Sequence, residues 1–157
     1  MILSDREITN FNHIEEIINQ TQVCHLGMVD GDKPYVLPFN FAYENKTIYL
    51  HCAPVGKKLD VLAKNNQVCI TFDTDHKISY RNENVACSWG MKFKSAVLFG
   101  KAILIEDYDE KIRILNLVMK KYAGRDDFTY NAPAINNVRV FKVEIESITG
   151  KQFGYTK

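Results

Sequence analysis

Residues 51–62, HCAPVGKKLDVL, place two lysines, Lys57 and Lys58, directly after Gly56, where an apolar helical pattern begins. Cations at a helix N-terminus oppose the macrodipole and cost a few tenths to ~1 kcal/mol each. A dianion at that position reverses the sign. Gly56 leaves the first backbone N–H groups approachable, and the lysines add two full charges beside them, so the stretch is a ready phosphate site. Two solvated surface lysines account for the same residues. His51 ends the preceding strand-like run on the face of Thr47 and Tyr49, opposite Ile48, Leu50 and Cys52. Just ahead of a phosphate loop it is a candidate catalytic group, against the alternative of a hydrogen-bonded structural histidine. His13, His25 and His76 have no such setting, and no histidine pair points to a metal.

A second constellation is PYVLPFN, residues 34–40. One face of this run carries Tyr35, Leu37, Phe39, Phe41 and Tyr43. The other carries Val36, Pro38, Asn40 and Ala42, which are small or hydrogen-bonding. Pro38 removes a ladder donor and belongs at a sheet edge or bulge. A flat, small-residue face with irregular backbone can take a planar ring, with Asn40 meeting its polar rim. An edge strand whose proline discourages aggregation reads the same way.

The elements that must hold these residues come from periodicity. A first helix is expected over Ser4–Gln20, from a Ser4/Glu7 capping box and Ile8, Phe11, Ile14 and Ile18 at helical spacing. Strands follow over 23–29, 34–43 and 47–52, with turn signals at Asp30-Gly31 and Glu44-Asn45-Lys46. A helix over 56–65 buries Leu59, Leu62 and Ala63, and residues 67–73 alternate as a half-buried strand. A polar stretch, 74–84, precedes a long β run over 85–106 whose later half is apolar on both faces, so it is covered on both sides. A third helix, 107–123, opens on an Asp107/Glu110 capping box, buries Ile112, Leu115, Val118, Met119 and Tyr122, and closes at Gly124. A polar loop leads to a last strand, VRVFKVEIESI. The fold class is mainly β with flanking helices: a small antiparallel barrel of about six strands rather than a doubly wound parallel sheet.

At 157 residues, 46% hydrophobic and 25% charged, the chain is expected to form a single domain over residues 1–157. A net charge of +1 gives no broad basic surface for nucleic acid. No run approaches the ~20 apolar residues that span a bilayer, so no membrane partner is expected. The acid-containing N-terminus lacks signal-peptide character. Cys24, Cys52, Cys69 and Cys87 form no CxxC pair and read as buried free thiols, which with the rest places the protein in the cytoplasm. Rossmann, Walker, GxSxG and HExxH patterns are absent.

Three blocks in order, residues 34–73, SWGMKFKSAVLFGKA at 88–102 and VEIESITGK at 143–151, resemble the flavin-binding split-barrel family of pyridoxamine 5′-phosphate oxidases. Within it they are most similar to the branch of nitroimidazole reductases linked to antibiotic resistance. The resemblance spans residues 1–151 and implies a six-stranded antiparallel split β-barrel binding FMN. By the same resemblance Lys57 and Lys58 hold the phosphate, while His51 and Cys52 line the flavin. Val36, Leu37, Pro38, Phe39 and Asn40 run along the ring, and Ser95 contacts the cofactor from the opposite subunit of a homodimer. A flavin at that interface would account for the doubly apolar strand. The chain ends ITGKQFGYTK, without the basic C-terminal signature of the vitamin B6 oxidases, which favours the reductase branch. The implied activity is transfer of hydride or electrons from reduced FMN to a small flat acceptor, a nitroimidazole or nitroaromatic, with His51 bonding the acceptor or supplying a proton. Trp89 and the segments 74–86 and 125–137 are candidate pocket walls. The alternatives are a non-catalytic flavin-binding or sensing dimer, and a split barrel carrying haem or a deazaflavin.

Overall fold

The β strands are set by their turns. Asn45 and Lys46 both lie at positive φ, 49° and 58°, the two left-handed positions that a two-residue hairpin between Glu44 and Thr47 requires. Gly31, at φ 67°, serves the hairpin that pairs Asp30 with Lys33. The computed structural model describes residues 3–156. Its strands are β1 (Glu7–Ile8), β2 (Cys24–Asp30), β3 (Lys33–Phe39), β4 (Phe41–Glu44), β5 (Thr47–Cys52), β6 (Gln67–Ser79), β7 (Gly90–Ile105), β8 (Arg139–Glu144) and β9 (Ser147–Phe153). The helices are α1 (Phe11–Gln20), α2 (Lys57–Lys64), α3 (Tyr108–Ala123) and α4 (Ala132–Asn137), with a 3-10 turn at Ala86–Ser88.

All strand pairs are antiparallel. One sheet runs β3-β2-β6-β7-β9-β1 and the other β7-β8-β5-β4, so the 16-residue β7 belongs to both. The result is the expected antiparallel split barrel, with nine strands where about six were anticipated. The barrel is filled from both sheets: Leu26, Ile70, Phe72 and Leu98 meet Phe41, Ile48, Leu50 and Val143, all essentially inaccessible to water. Phe41 and Phe72 pack edge-to-face at 5.2 Å. Ile14, Ile17 and Ile18 of α1 join this core. Ile114 and Val118 of α3 cover Ala42, Tyr49 and Val140 on the other side of β5, which is therefore buried on both faces.

Several elements differ from expectation, each for a local reason. α1 begins at Phe11, since the Asn10 side chain accepts from the Asn12 N–H at 3.0 Å. Upstream, the Arg6 and Glu7 N–H groups turn back onto Leu3, and residues 7–8 pair with β9. The 34–43 run is two strands on opposite sheet edges, interrupted at Asn40. There the Phe41 N–H donates to the Tyr122 hydroxyl, which itself donates to the Gln22 carbonyl. Tyr122 is thus a polar clamp rather than a core residue. α3 buries Val118 as expected, but Ile114 and Lys111 in place of Ile112 and Leu115, because Lys111 Nζ donates to the carbonyls of Ile135 and Val138 at the end of α4. α2 buries Val61 in place of Ala63.

β6 continues through the polar stretch to Ser79 by way of a bulge at Thr74/Lys77, with Asp75 at φ 56°. The last predicted strand divides into β8 and β9. Cys24 is buried, Cys52 and Cys69 are half-buried, and Cys87 is exposed, so burial does not extend to all four thiols. In the single chain β7 is covered on one face only: Ala96, Leu98 and Ala102 are inaccessible, whereas Phe99 is 53% exposed and Ile103 43%. Among the described residues no helix is long and apolar enough to cross a membrane.

Candidate functional site

The ends of β3 and β5 and the first turn of α2 converge on a cavity of about 390 Å³. Leu37, Pro38, Phe39 and Asn40 form one wall. His51, Cys52 and Ala53 form the other, and Lys58 reaches in from the helix. Pro38 costs no hydrogen bond because β3 is an edge strand that pairs only with β2. The edge-strand reading of this proline holds, and the same residue lines the cavity. The wall ends at Asn40, in the break between β3 and β4, where it stands exposed.

Gly56 is the N-cap of α2; its φ of 138° and ψ of 158° favour glycine, and no side chain caps the helix. A Cβ on Gly56 would meet nothing within 4 Å, so the approach to the first turn is open. The Lys58 ammonium lies 5.9 Å from the Phe39 ring centroid, at the cavity mouth. Lys57 points elsewhere. Its ammonium pairs with Asp30 at 2.9 Å, lies 4.8 Å from the Tyr35 ring, and is held above the usual lysine range by that carboxylate.

His51 is the electrostatic oddity of the site. Its Nδ1 is buried with no hydrogen-bond partner in the chain, a deficit that folded proteins rarely leave unfilled. Burial holds its pKa below the ordinary histidine value, so the imidazole is neutral at pH 7. Burial also raises the Cys52 thiol, opposed by the nearby charges of Lys58 and Arg139, and keeps it protonated. None of the eight residues lining the cavity is acidic.

The fold thus gathers Leu37, Pro38, Phe39, Asn40, His51, Cys52 and Lys58 from the sequence candidates. Val36 turns outward from the cavity, 58% exposed. Ser95 pairs with Asp73 and Lys151, three strands from β3, and does not line the cavity of its own chain. Trp89 stacks on Tyr80 at 4.3 Å and donates to the Glu83 carbonyl; it too stands apart from the cavity. Arg139, the cross-strand neighbour of Cys52, escaped the sequence reading because no local pattern reveals a pairing between strands so far apart in the chain. Among the described residues no cluster of three or more His, Cys, Asp or Glu could hold a metal ion.

Residues 12–152 match the family described as pyridoxamine 5′-phosphate oxidase. No curated protein is a significant match. A solved structure from Bacteroides thetaiotaomicron VPI-5482, a candidate 5-nitroimidazole antibiotic resistance protein, is 44% identical, covers 94% of this chain and 86% of its own, and has a TM-score of 0.83. A candidate pyridoxamine 5′-phosphate oxidase from Listeria innocua is 26% identical over 87% of this chain and 94% of its own, with a TM-score of 0.61. A flavocytochrome from Azotobacter vinelandii shares the fold at 20% identity, 95% and 70% coverage, and a TM-score of 0.80.

Proposed function

The chain belongs to the pyridoxamine 5′-phosphate oxidase family, and from that premise we propose that it is an FMN-dependent oxidoreductase that reduces a small flat acceptor of the nitroimidazole or nitroaromatic class. The observation that carries this reading is the His51 Nδ1, buried and unpartnered at a cavity that holds one cation and no acid. The residues fit a flavin mononucleotide. A planar ring has a wall of edge-strand backbone from Leu37 to Asn40 that carries the small Pro38 and Asn40 side chains, and a phosphate has Lys58 and the open first turn of α2. The 44% identity to the Bacteroides protein supports the acceptor class.

When bound, FMN supplies the hydride or electrons. Everything else falls to the chain. Pro38 and Phe39 offer a flat surface against which the ring is oriented, with the Asn40 carboxamide at the end of the same wall. Lys58 places the phosphate, and Lys57 joins it by leaving Asp30. His51, neutral because it is buried, can donate one N–H to the acceptor without setting a second positive charge against Lys58.

We further propose a homodimer that packs through the open face of β7 ahead of Gly100, where Ser95, Val97 and Phe99 stand, with the flavin at its margin and Ser95 serving the partner's cavity. Reaction in a reducing cytoplasm accords with four unpaired cysteines. The test is spectroscopic. Purified protein should be yellow or take up added FMN, and Lys57→Ala/Lys58→Ala should bind FMN about 10–100-fold more weakly, the loss of one or two charge-assisted hydrogen bonds. Anaerobically reduced protein should be reoxidised by a nitroimidazole. A colourless protein that binds no FMN, or a double variant of unchanged affinity, refutes the assignment.

A further inference from the structure

A second and larger cavity, about 630 Å³, lies between the C-terminal end of α2, the C-terminal half of β7 and the start of β8. Its walls are apolar: Leu59 and Leu62 from α2, Ile103 and Leu104 from β7, and Phe141 from β8. Ile103 and Leu104 are 43% and 42% exposed, an unusual state for two consecutive large aliphatic residues. Three cations, Lys64, Lys101 and Arg139, line the same cavity, and no acidic residue does. Among the described residues none of the three forms an ion pair. Arg139 spends one N–H on the Asn136 carbonyl at 3.3 Å and keeps the rest of its guanidinium available. At the remaining edge stand the side-chain amides of Asn65, whose Oδ1 already accepts from the Gln67 N–H at 3.0 Å, and of Asn66 and Gln67.

These three kinds of group specify a ligand. Unopposed cations call for an anion. Aliphatic and aromatic walls call for a flat apolar body of drug-like size. Side-chain amides, which both donate and accept, call for a body with a hydrogen-bonding rim, since an alkyl chain would leave them desolvated and unpaired. We propose that this cavity is a second ligand site that takes a nucleoside phosphate, the base between the apolar walls with its edge on the amides and the phosphate on Lys64, Lys101 and Arg139. Cys52 lines the first cavity and is paired across the ladder with Arg139, which lines the second, so the two cavities share a wall at a residue pair whose Cα atoms are about 5 Å apart. One ligand chemistry therefore has two sources: the adenylate half of a dinucleotide whose flavin half sits beside His51, or a separate nucleotide. The site stands on its own residues and does not require the first cavity to hold a flavin.

The probe is ADP, added to the full chain with and without FMN and followed by equilibrium dialysis. Saturable binding of one ADP per chain is expected, at least about tenfold weaker in Lys64→Gln/Lys101→Gln and lost in Ala63→Trp, which fills the cavity without altering its charge. All three positions are exposed, so the fold is retained, and circular dichroism checks it. If the adenylate belongs to the flavin ligand, FAD binds more tightly than FMN and the preference disappears in the double variant. If it is a separate molecule, FMN-loaded protein binds ADP with its flavin spectrum unchanged. Either result supports the site. Absence of saturable ADP binding overturns it, as does ADP binding that neither variant weakens. Failure to bind ADP in a wild-type dimer that the lysine variant dissociates also overturns it and identifies the cavity as a subunit contact. Failure of the flavin assignment appears separately, in the visible spectrum.

Discussion

At the scale of single residues, His51 joins chemistry to stability. Burial lowers its folded-state pKa below 6.5, so between that lowered value and 6.5 the unfolded chain binds the extra proton and the folded chain does not. Stability is therefore intact above pH 6.5 and declines as pH falls through that window. Replacing His51 with Gln removes the titrating group. Its urea midpoint should change less between pH 7 and pH 5 than that of the wild type, and equal slopes would show that burial of this imidazole is not coupled to folding. The proposed reoxidation of reduced flavin by a nitroimidazole should also slow with the same substitution. His51, Cys52 and Lys58 were legible because they lie within eight positions of one another, where strand and helix periods fix direction. Lys57 was legible as a cation but not in its partner: Asp30 lies in a hairpin 27 positions earlier, and only the packed fold brings the two together.

At the scale of elements, the crossing of β7 from one sheet to the other rests on Gly100. A Cβ there would stand 2.5 Å from the Glu144 carbonyl oxygen and 2.9 Å from Val143 Cγ1, closer than real contacts allow. Around it the ladder changes partner: Phe99 faces Ser147 of β9, and Ala102 faces Val143 of β8. Gly100→Ala should cost about 1–3 kcal/mol, the range for overpacking a filled interior, read from the shift of the urea midpoint at unchanged slope. A change under ~0.5 kcal/mol would mean that β8 yields without loss. Elements with local punctuation were readable from sequence. The Asp107 cap, whose carboxylate accepts from the Glu110 N–H at 2.9 Å, the left-handed Gly124 and the Asn45-Lys46 turn stand where expected. Those governed by distant partners were not: β1 exists only because β9 pairs with it, and the break at Asn40 is held by a hydroxyl 81 residues away.

At the scale of the whole molecule, the proposed dimer depends on the open face of β7. Phe99, at 53% exposure, is large for a water-facing strand position. Phe99→Glu should convert a dimer to a monomer in sedimentation and lower flavin occupancy with it; a variant that sediments as the wild type would place the interface elsewhere. The barrel was legible as a class from its strand periodicity, but not the strand count, because six residues of polar sequence continue β6 and the VRVFKVEIESI run changes sheets midway. The strand common to both sheets has one more consequence. β7 is bonded along its length to β6, β9 or β8, so neither half of the barrel can open without stripping hydrogen bonds from the other. Local opening is then expected in the segments outside the ladder, 80–89 and 124–131. For the inward-facing amides from Ala96 to Ala102, the only route to exchange with solvent water is unfolding of the entire domain.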